Sequence, residues 1–195
     1  SEQQHAQINE IAEKTIAGMK ADGIPYKGVL YMGLMLADKY DGAPAVIEYN
    51  VRFGDPEAQV VLPILEQAGV SIYGLLASSD HRLDTSLIKA GSLAGKAALT
   101  VCLAAEGYPD SPVKGAVIEG LEGSYRDVLI HHGGTKMHRD SVIVDGGRVL
   151  YVTGFGESVD GAAARAYAAI GPNGVNFDGM QYRTDIGKQA RRVQK

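Results

Sequence analysis

The sequence has little of what would tie it to a membrane, an oxidising compartment or a nucleic acid. It holds one cysteine in 195 residues, no run of 18 apolar residues and no N-terminal signal pattern, which reads as a cytoplasmic protein with no membrane partner. Basic residues are in the minority, with a formal net charge of -4 and a pI near 5.7. That balance argues against nucleic acid as a partner, and the basic stretch Lys188 to Lys195 reads as a solvated chain end. There is no internal repeat and no low-complexity segment. No lysine of the G-K-[ST] type follows a glycine loop, and Gly154-Phe-Gly156 opens like a dinucleotide fingerprint but has Val159 in place of the third glycine. Any phosphate binding must use another device.

With 45% hydrophobic residues the chain can bury a core. Ile8, Ile11, Ala12, Thr15, Ile16 and Met19 recur at three- and four-residue spacings, indicating an amphipathic helix over 3–20 with Gly23 as terminator. Residues 27–37 and 44–52 read as an antiparallel hairpin with Asp41-Gly42 in its loop, and helices at about 56–67 and 70–79 complete this first piece. The periodicity fades between Ser78 and Lys96, which puts a change of domain near residue 90, dividing the chain into 1–89 and 90–195. Beyond it, short runs at 97–105, 113–118, 127–132, 141–144 and 148–155 read as strands and 158–170 as a helix, a small α+β domain. Cys102, inside an apolar run, reads as a buried small hydrophobe.

The most informative stretch runs from Val46 to Gln59. On a strand Glu48, Asn50 and Arg52 point to one face, and Ile47, Tyr49 and Val51 point to the other, where they can be buried. A carboxylate and an amide oxygen are hard donors suited to magnesium, which takes substrate phosphates and water as its remaining ligands. A guanidinium at the next alternate position can hold a phosphate in bidentate fashion and oppose charge developing on a transferring phosphoryl group. The same spacing also fits an exposed strand face with a surface ion pair, and on E-x-N-x-R alone the two readings stand level. Phe53-Gly54 breaks the strand, and Asp55-Pro56 is a favourable N-cap and first-turn pair for a helix. Capping and the helix dipole account for Asp55 and Glu57, with ligand contact a second role for Asp55.

The runs Gly28 to Leu36 and Ile47-Glu-Tyr-Asn-Val-Arg-Phe-Gly-Asp-Pro-Glu-Ala-Gln59 closely resemble the nucleotide-binding half of the phosphoribosylamine-glycine ligase family. The resemblance continues through Gly107-Tyr-Pro109, His132-Gly-Gly-Thr-Lys136, Gly146-Gly-Arg-Val-Leu150 and Gly179-Met-Gln-Tyr-Arg-Thr-Asp-Ile-Gly187, nearly the whole chain. It implies the C-terminal half of an ATP-grasp domain, an antiparallel sheet with packed helices, followed by the small α+β domain. It further implies ATP as substrate, magnesium or manganese as cofactor, and glycine and 5-phosphoribosylamine joined through an acyl phosphate in purine biosynthesis. Glu48 and Asn50 match the family's metal ligands, and Arg52 matches the arginine that steadies the phosphoryl group. The chain begins late relative to the family, so it is expected to be an inactive carboxy-terminal fragment needing the N-terminal part as partner. Another ATP-grasp carboxylate-amine ligase, or a non-catalytic binding or assembly fragment, are the alternatives.

Lys136 and Arg148 each follow a glycine turn, Gly133-Gly134-Thr135 and Gly146-Gly147, whose backbone N–H groups can form an anion nest beside a cation. Two tight turns with solvated cations is the plainer reading. Similarity to ligases whose C-terminal domain covers the substrate adds the alternative that Thr135, Lys136 and Arg148 help hold a ribose phosphate. His131, His132 and His138 lie close in sequence without a second ligand cluster, so loop packing is favoured over a transition-metal site. His132 matches a family position, whereas Gly133 departs from the family's usual alanine.

Overall fold

The computed structural model describes residues 1–36, 41–77 and 95–190. They form two compact units: Ser1–Asp55 with Leu76 and Ala77, and Pro56–Leu75 with residues 95–190. The domain change expected near residue 90 lies outside the described residues.

In the first unit the spacing of apolar residues produces helix α1, Glu2–Ala21. It ends at the expected glycine, in a Schellman turn: Gly23 takes φ +78°, its N–H donates to the Lys20 carbonyl (3.1 Å), and the Ile24 N–H donates to the Met19 carbonyl (3.0 Å). Strands β1 (Tyr31–Leu36) and β2 (Pro44–Asn50) pair antiparallel, with Tyr31 opposite Asn50 and Gly33 opposite Glu48. Asp41 and Gly42 both adopt positive φ, 52° and 72°, in the connecting loop.

Ile47, Tyr49 and Val51 were expected to be buried, but they are 62%, 42% and 72% exposed. Regular alternation is interrupted at Ile47, where the register slips by one residue between the Gly33–Glu48 and Leu34–Val46 pairs, and burial needs a layer to cover the face that alternation assigns. A two-stranded hairpin with a single helix supplies little of one, and α1 itself buries no residue.

The second unit is built around β7 (Arg148–Gly156), the middle strand of an antiparallel sheet ordered β3-β7-β4, with β3 at Ala97–Ala104 and β4 at Val128–His132. Leu99, Val101 and Leu103 alternate inward from β3, and most of β7 is buried. Helix α4 (Val159–Ala168) starts at the Ser158 cap, whose hydroxyl accepts from the Gly161 N–H at 3.1 Å. It lays Ala162, Ala163 and Ala166 on the sheet. The approach is so close that a Cβ on Gly154 would sit 2.2 Å from the Ala162 carbonyl oxygen. Helix packing therefore accounts for the glycine pair that resembled half a dinucleotide fingerprint. A second hairpin pairs β5 (Thr135–His138) with β6 (Ser141–Val144). The strand expected at 113–118 is reduced to the isolated bridge Val117–Ile143, since Gly115 turns the chain with φ +97°.

Helices α2 (Ala58–Gln67) and α3 (Ile72–Ala77) were expected to complete the first piece; α2 instead packs on β3 and β7. One bond shows why that seating is specific. Pro63, inside α2, has no N–H to give the carbonyl of Gln59 four residues back. The fully buried Thr153 hydroxyl of β7 lies 3.1 Å from that carbonyl and 3.0 Å from the Thr100 hydroxyl. With a single proton, Thr153 donates to the carbonyl and accepts from Thr100. Among the described residues no helix is long and apolar enough to cross a membrane.

Candidate functional site

Within the first unit, Glu48 and Asn50 share a face of β2, as the strand period requires. The Asn50 amide Nδ2 donates to Glu48 Oε1 at 3.0 Å. This bond fixes the amide's orientation and turns its oxygen, the hard donor, away from the carboxylate. Opposite Glu48 stands Gly33, where a Cβ would approach the Glu48 Cγ to 3.1 Å. The glycine thus leaves room for the carboxylate on the hairpin surface.

Arg52 departs from the expectation. The ladder ends at the Tyr31–Asn50 pair and residues 51–52 form a bend, so Arg52 is not the third side chain of a continuous strand face. Its Nη1 donates to the Phe53 carbonyl at 3.0 Å, using part of a guanidinium that carries five N–H donors. Asp55 also lies elsewhere than expected: Asp55, Pro56 and Glu57 make a turn, and α2 starts at Ala58 with Glu57 at the N-cap and no side-chain cap bond. The helix begins two residues later than expected.

With the Asn50 amide turned over, the carboxylate and amide oxygens would fit magnesium or manganese, which needs only one or two protein oxygens beside phosphates and water. Among the described residues no three His, Cys, Asp or Glu side chains gather into a metal-binding group.

In the second unit the antiparallel ladders bring separated sequence runs to one end of the sheet. Ala104 at the end of β3 faces Arg148 at the start of β7, and His132 at the end of β4 faces Leu150. The Gly134 N–H donates to the Arg148 carbonyl (2.7 Å), and Ala104 exchanges backbone hydrogen bonds with Gln181. Tyr108 lies so close over Gly147 that a Cβ there would come within 2.5 Å of its ring. All the runs from 107 onward that carried the family resemblance meet here.

At 133–135 the plainer reading of a tight turn holds and the alternative of an anion nest does not. The Gly133, Gly134 and Thr135 N–H groups donate to the carbonyls of Val149, Arg148 and Gly133. Gly134 and Gly146 are glycines for a different reason: a Cβ on Gly134 would lie 2.5 Å from the Cα of Gly146. Around this close contact stand the exposed Lys136, the half-buried Arg148, and Thr135, whose hydroxyl lies 3.0 Å from His132 Nδ1. An anion at the 133–135 turn would be held by side chains. Sequence reasoning gave no role to Tyr108, although it lay within a quoted run; its contact with Gly147 becomes visible only when the two loops meet.

His131 points elsewhere, into a groove of about 320 Å³ lined by Ala58, Gln59, Leu62, Pro63, Glu66 and Ile72. Burial lowers the pKa of its imidazole, opposed by a hydrogen bond to the Tyr151 backbone. This agrees with the packing role expected for it.

Comparison with known proteins matches residues 1–58 to the ATP-grasp (A) domain of phosphoribosylglycinamide synthetase and residues 98–189 to the C domain of the same enzyme. A phosphoribosylamine-glycine ligase of Neisseria meningitidis is 42% identical over 185 residues, covering 94% of this chain and 41% of the relative. A bifunctional purine biosynthetic protein of Pichia angusta is 40% identical over 180 residues, 92% of this chain and 22% of that protein. The crystal structure of phosphoribosylamine-glycine ligase from Thermotoga maritima superposes with a TM-score of 0.73 at 33% identity, covering 95% of this chain and 43% of that one. The chain thus spans about two fifths of the length of ligases it resembles over nearly all of its own. With the hard-donor pair of β2 inside one matched domain and the meeting loops of the β3-β7-β4 sheet inside the other, the chain belongs to the phosphoribosylglycinamide synthetase family.

Proposed function

We propose that this chain is the carboxy-terminal portion of a phosphoribosylamine-glycine ligase and supplies part of its ATP site and the domain over its second substrate. The observation that carries the reading is the Glu48–Asn50 pair, a carboxylate and an amide set side by side on one face of β2 by the 3.0 Å bond from Asn50 Nδ2, within the part that matches an ATP-grasp domain. In the reaction, the γ-phosphoryl group of ATP passes to a carboxylate oxygen of glycine and ADP leaves. The amine of 5-phosphoribosylamine then forms the C–N bond as inorganic phosphate leaves.

Glu48 and Asn50 would hold magnesium, or manganese, which when bound neutralises phosphate charge and orients the transferring group. Arg52, which gives one of its five N–H donors to the Phe53 carbonyl, is the candidate to hold that group in bidentate fashion. Asp55, in the turn that follows, is a candidate substrate contact. Lys136, Arg148 and Thr135 are candidates for the ribose phosphate through their side chains. The division near residue 90 falls between the two matched ranges and is proposed as the boundary of the enzyme's domains, in the cytoplasmic setting of purine synthesis.

Catalysis needs ATP, glycine and the amine held at near-attack distance in a closed site. The isolated chain should therefore show no glycine-dependent release of phosphate from ATP, and turnover should appear when the remainder of the ligase is supplied. In the full-length enzyme, Arg52→Lys keeps the charge but loses the fork, so kcat and kcat/KM should fall by similar factors, on the order of 10²-fold. A variant with unchanged kcat and only a raised KM would make Arg52 a ground-state binding residue.

A further inference from the structure

Tyr49 stands between Glu48 and Asn50, so its side chain leaves β2 on the opposite face, toward α1. Its hydroxyl lies 2.7 Å from Thr15 Oγ1, and Thr15 Oγ1 in turn donates to the Ile11 carbonyl at 2.8 Å. A threonine hydroxyl has one proton, and here it is committed to the helix carbonyl. Tyr49 is therefore the donor in the pair, and the chain of bonds runs from β2 through Thr15 into the backbone of α1. A second tie, from Gln4 Nε2 to the Gly42 carbonyl at 2.9 Å, fixes the loop end of the hairpin to the same helix. Apolar packing does little of this work, because no residue of α1, β1 or β2 is fully buried. The angle at which β2 presents its other face depends on a few polar bonds.

We propose that Tyr49, through Thr15, is a positioning residue that holds β2 against α1 so that Glu48 and Asn50 face a divalent cation together. The inference rests on the metal reading of that pair. Tyr49 touches neither metal nor substrate; it acts through the strand it shares with both ligands. Losing its hydroxyl frees the strand to rotate on the helix, and the two oxygens then reach the ion together less often.

The test uses this chain with Mn²⁺ alone as the probe. Paramagnetic broadening of the Glu48 and Asn50 amide signals is followed by NMR as the ion is added. The unaltered chain should broaden selectively at these residues, and Glu48→Gln should abolish the selectivity. Tyr49→Phe should raise the half-broadening concentration by about 3- to 10-fold, the range expected for loss of one hydrogen bond. Thr15→Val should do the same, the double variant should go no further, and Thr15→Ser, which keeps the hydroxyl, should behave as the unaltered chain. If Glu48→Gln abolishes broadening while Tyr49→Phe and Thr15→Val leave the midpoint unchanged, the positioning role is wrong and the metal pair stands. If the unaltered chain shows no selective broadening, both are overturned. A Thr15→Ser variant as impaired as Thr15→Val would also sink the inference, because packing and not the hydroxyl would then be responsible.

Discussion

The two units stabilise themselves in different ways. In the second, Leu103, Leu150, Val101 and Val152 are fully buried around β7, and α4 closes over them at backbone contact distance. In the first, the hairpin lies on a single helix, its apolar side chains stay largely exposed, and the ties are hydroxyl and amide hydrogen bonds. The unit with the richer ligand chemistry has the poorer core. An element that must present polar groups on one face and has only one helix behind the other cannot also bury a large apolar area. Its geometry rests on directional bonds, whereas the second unit draws on non-directional burial.

The difference should be largest in matched core truncations. Leu103→Ala removes a fully buried side chain from the centre of the second unit and should cost about 2–5 kcal/mol. Ile47→Ala on the exposed hairpin face should change stability by no more than about 0.5 kcal/mol. With no tryptophan in the chain, urea unfolding is best followed by circular dichroism, and by amide signals assigned to each unit. Equal costs at the two positions would mean that the hairpin face is covered in solution and would break the comparison.

The parts of the fold legible in the sequence were those where periodicity and burial coincide. Leu99, Val101 and Leu103 alternate because β3 has one covered face, and α1 stops where Gly23 permits the left-handed turn. Strand β5 escaped notice because Thr135-Lys-Met-His138 has no apolar alternation; only its register with β6 makes it a strand. Glu48 and Asn50 were legible as a pair because residues two apart on one strand share a face. Arg52 was not, since the strand's end at Asn50 is set by where β1 stops pairing. The choice between a tight turn and an anion nest at 133–135 stayed open in the sequence for a similar reason. Whether an N–H is free depends on which carbonyl arrives from another strand, and here Arg148 and Val149 of β7 supply the acceptors.

A matched pair of hydrogen bonds sharpens the comparison at smaller scale. Thr153→Val in the second unit removes the donor that reaches the Gln59 carbonyl of α2 in a site closed to water, and should cost about 1–3 kcal/mol. Thr15→Val in the first unit breaks a bond whose partner, the Tyr49 hydroxyl, can turn to solvent, so the loss should stay below about 1 kcal/mol. Its larger consequence should be in metal binding. Parallel urea titrations of the two variants test this, and a Thr15→Val cost equal to that of Thr153→Val would mean that the α1–β2 contact is closed to water.

The smallest expected effect is a difference in pH response. Burial lowers the pKa of His131 in the second unit from the ordinary 6.5. The unfolded chain therefore takes up a proton at this residue before the folded one does. Stability is fully present above about pH 6.5 and is lost as pH falls through that value toward the depressed folded pKa. In the first unit the shifted group among the described residues is Glu10, lowered from 4.5 by the Lys14 ammonium that hydrogen-bonds it at 2.6 Å. Its contribution is present above about pH 4.5 and fades only below it, and salt weakens it because both side chains are exposed. Between pH 7 and 5 the second unit should therefore lose protection against amide hydrogen exchange, after correction for the intrinsic rate, while the first unit holds its own. His131→Leu should remove part of that loss in the second unit and leave the first unaffected. A pH dependence in the second unit that survives His131→Leu unchanged would show that this imidazole is not the group responsible.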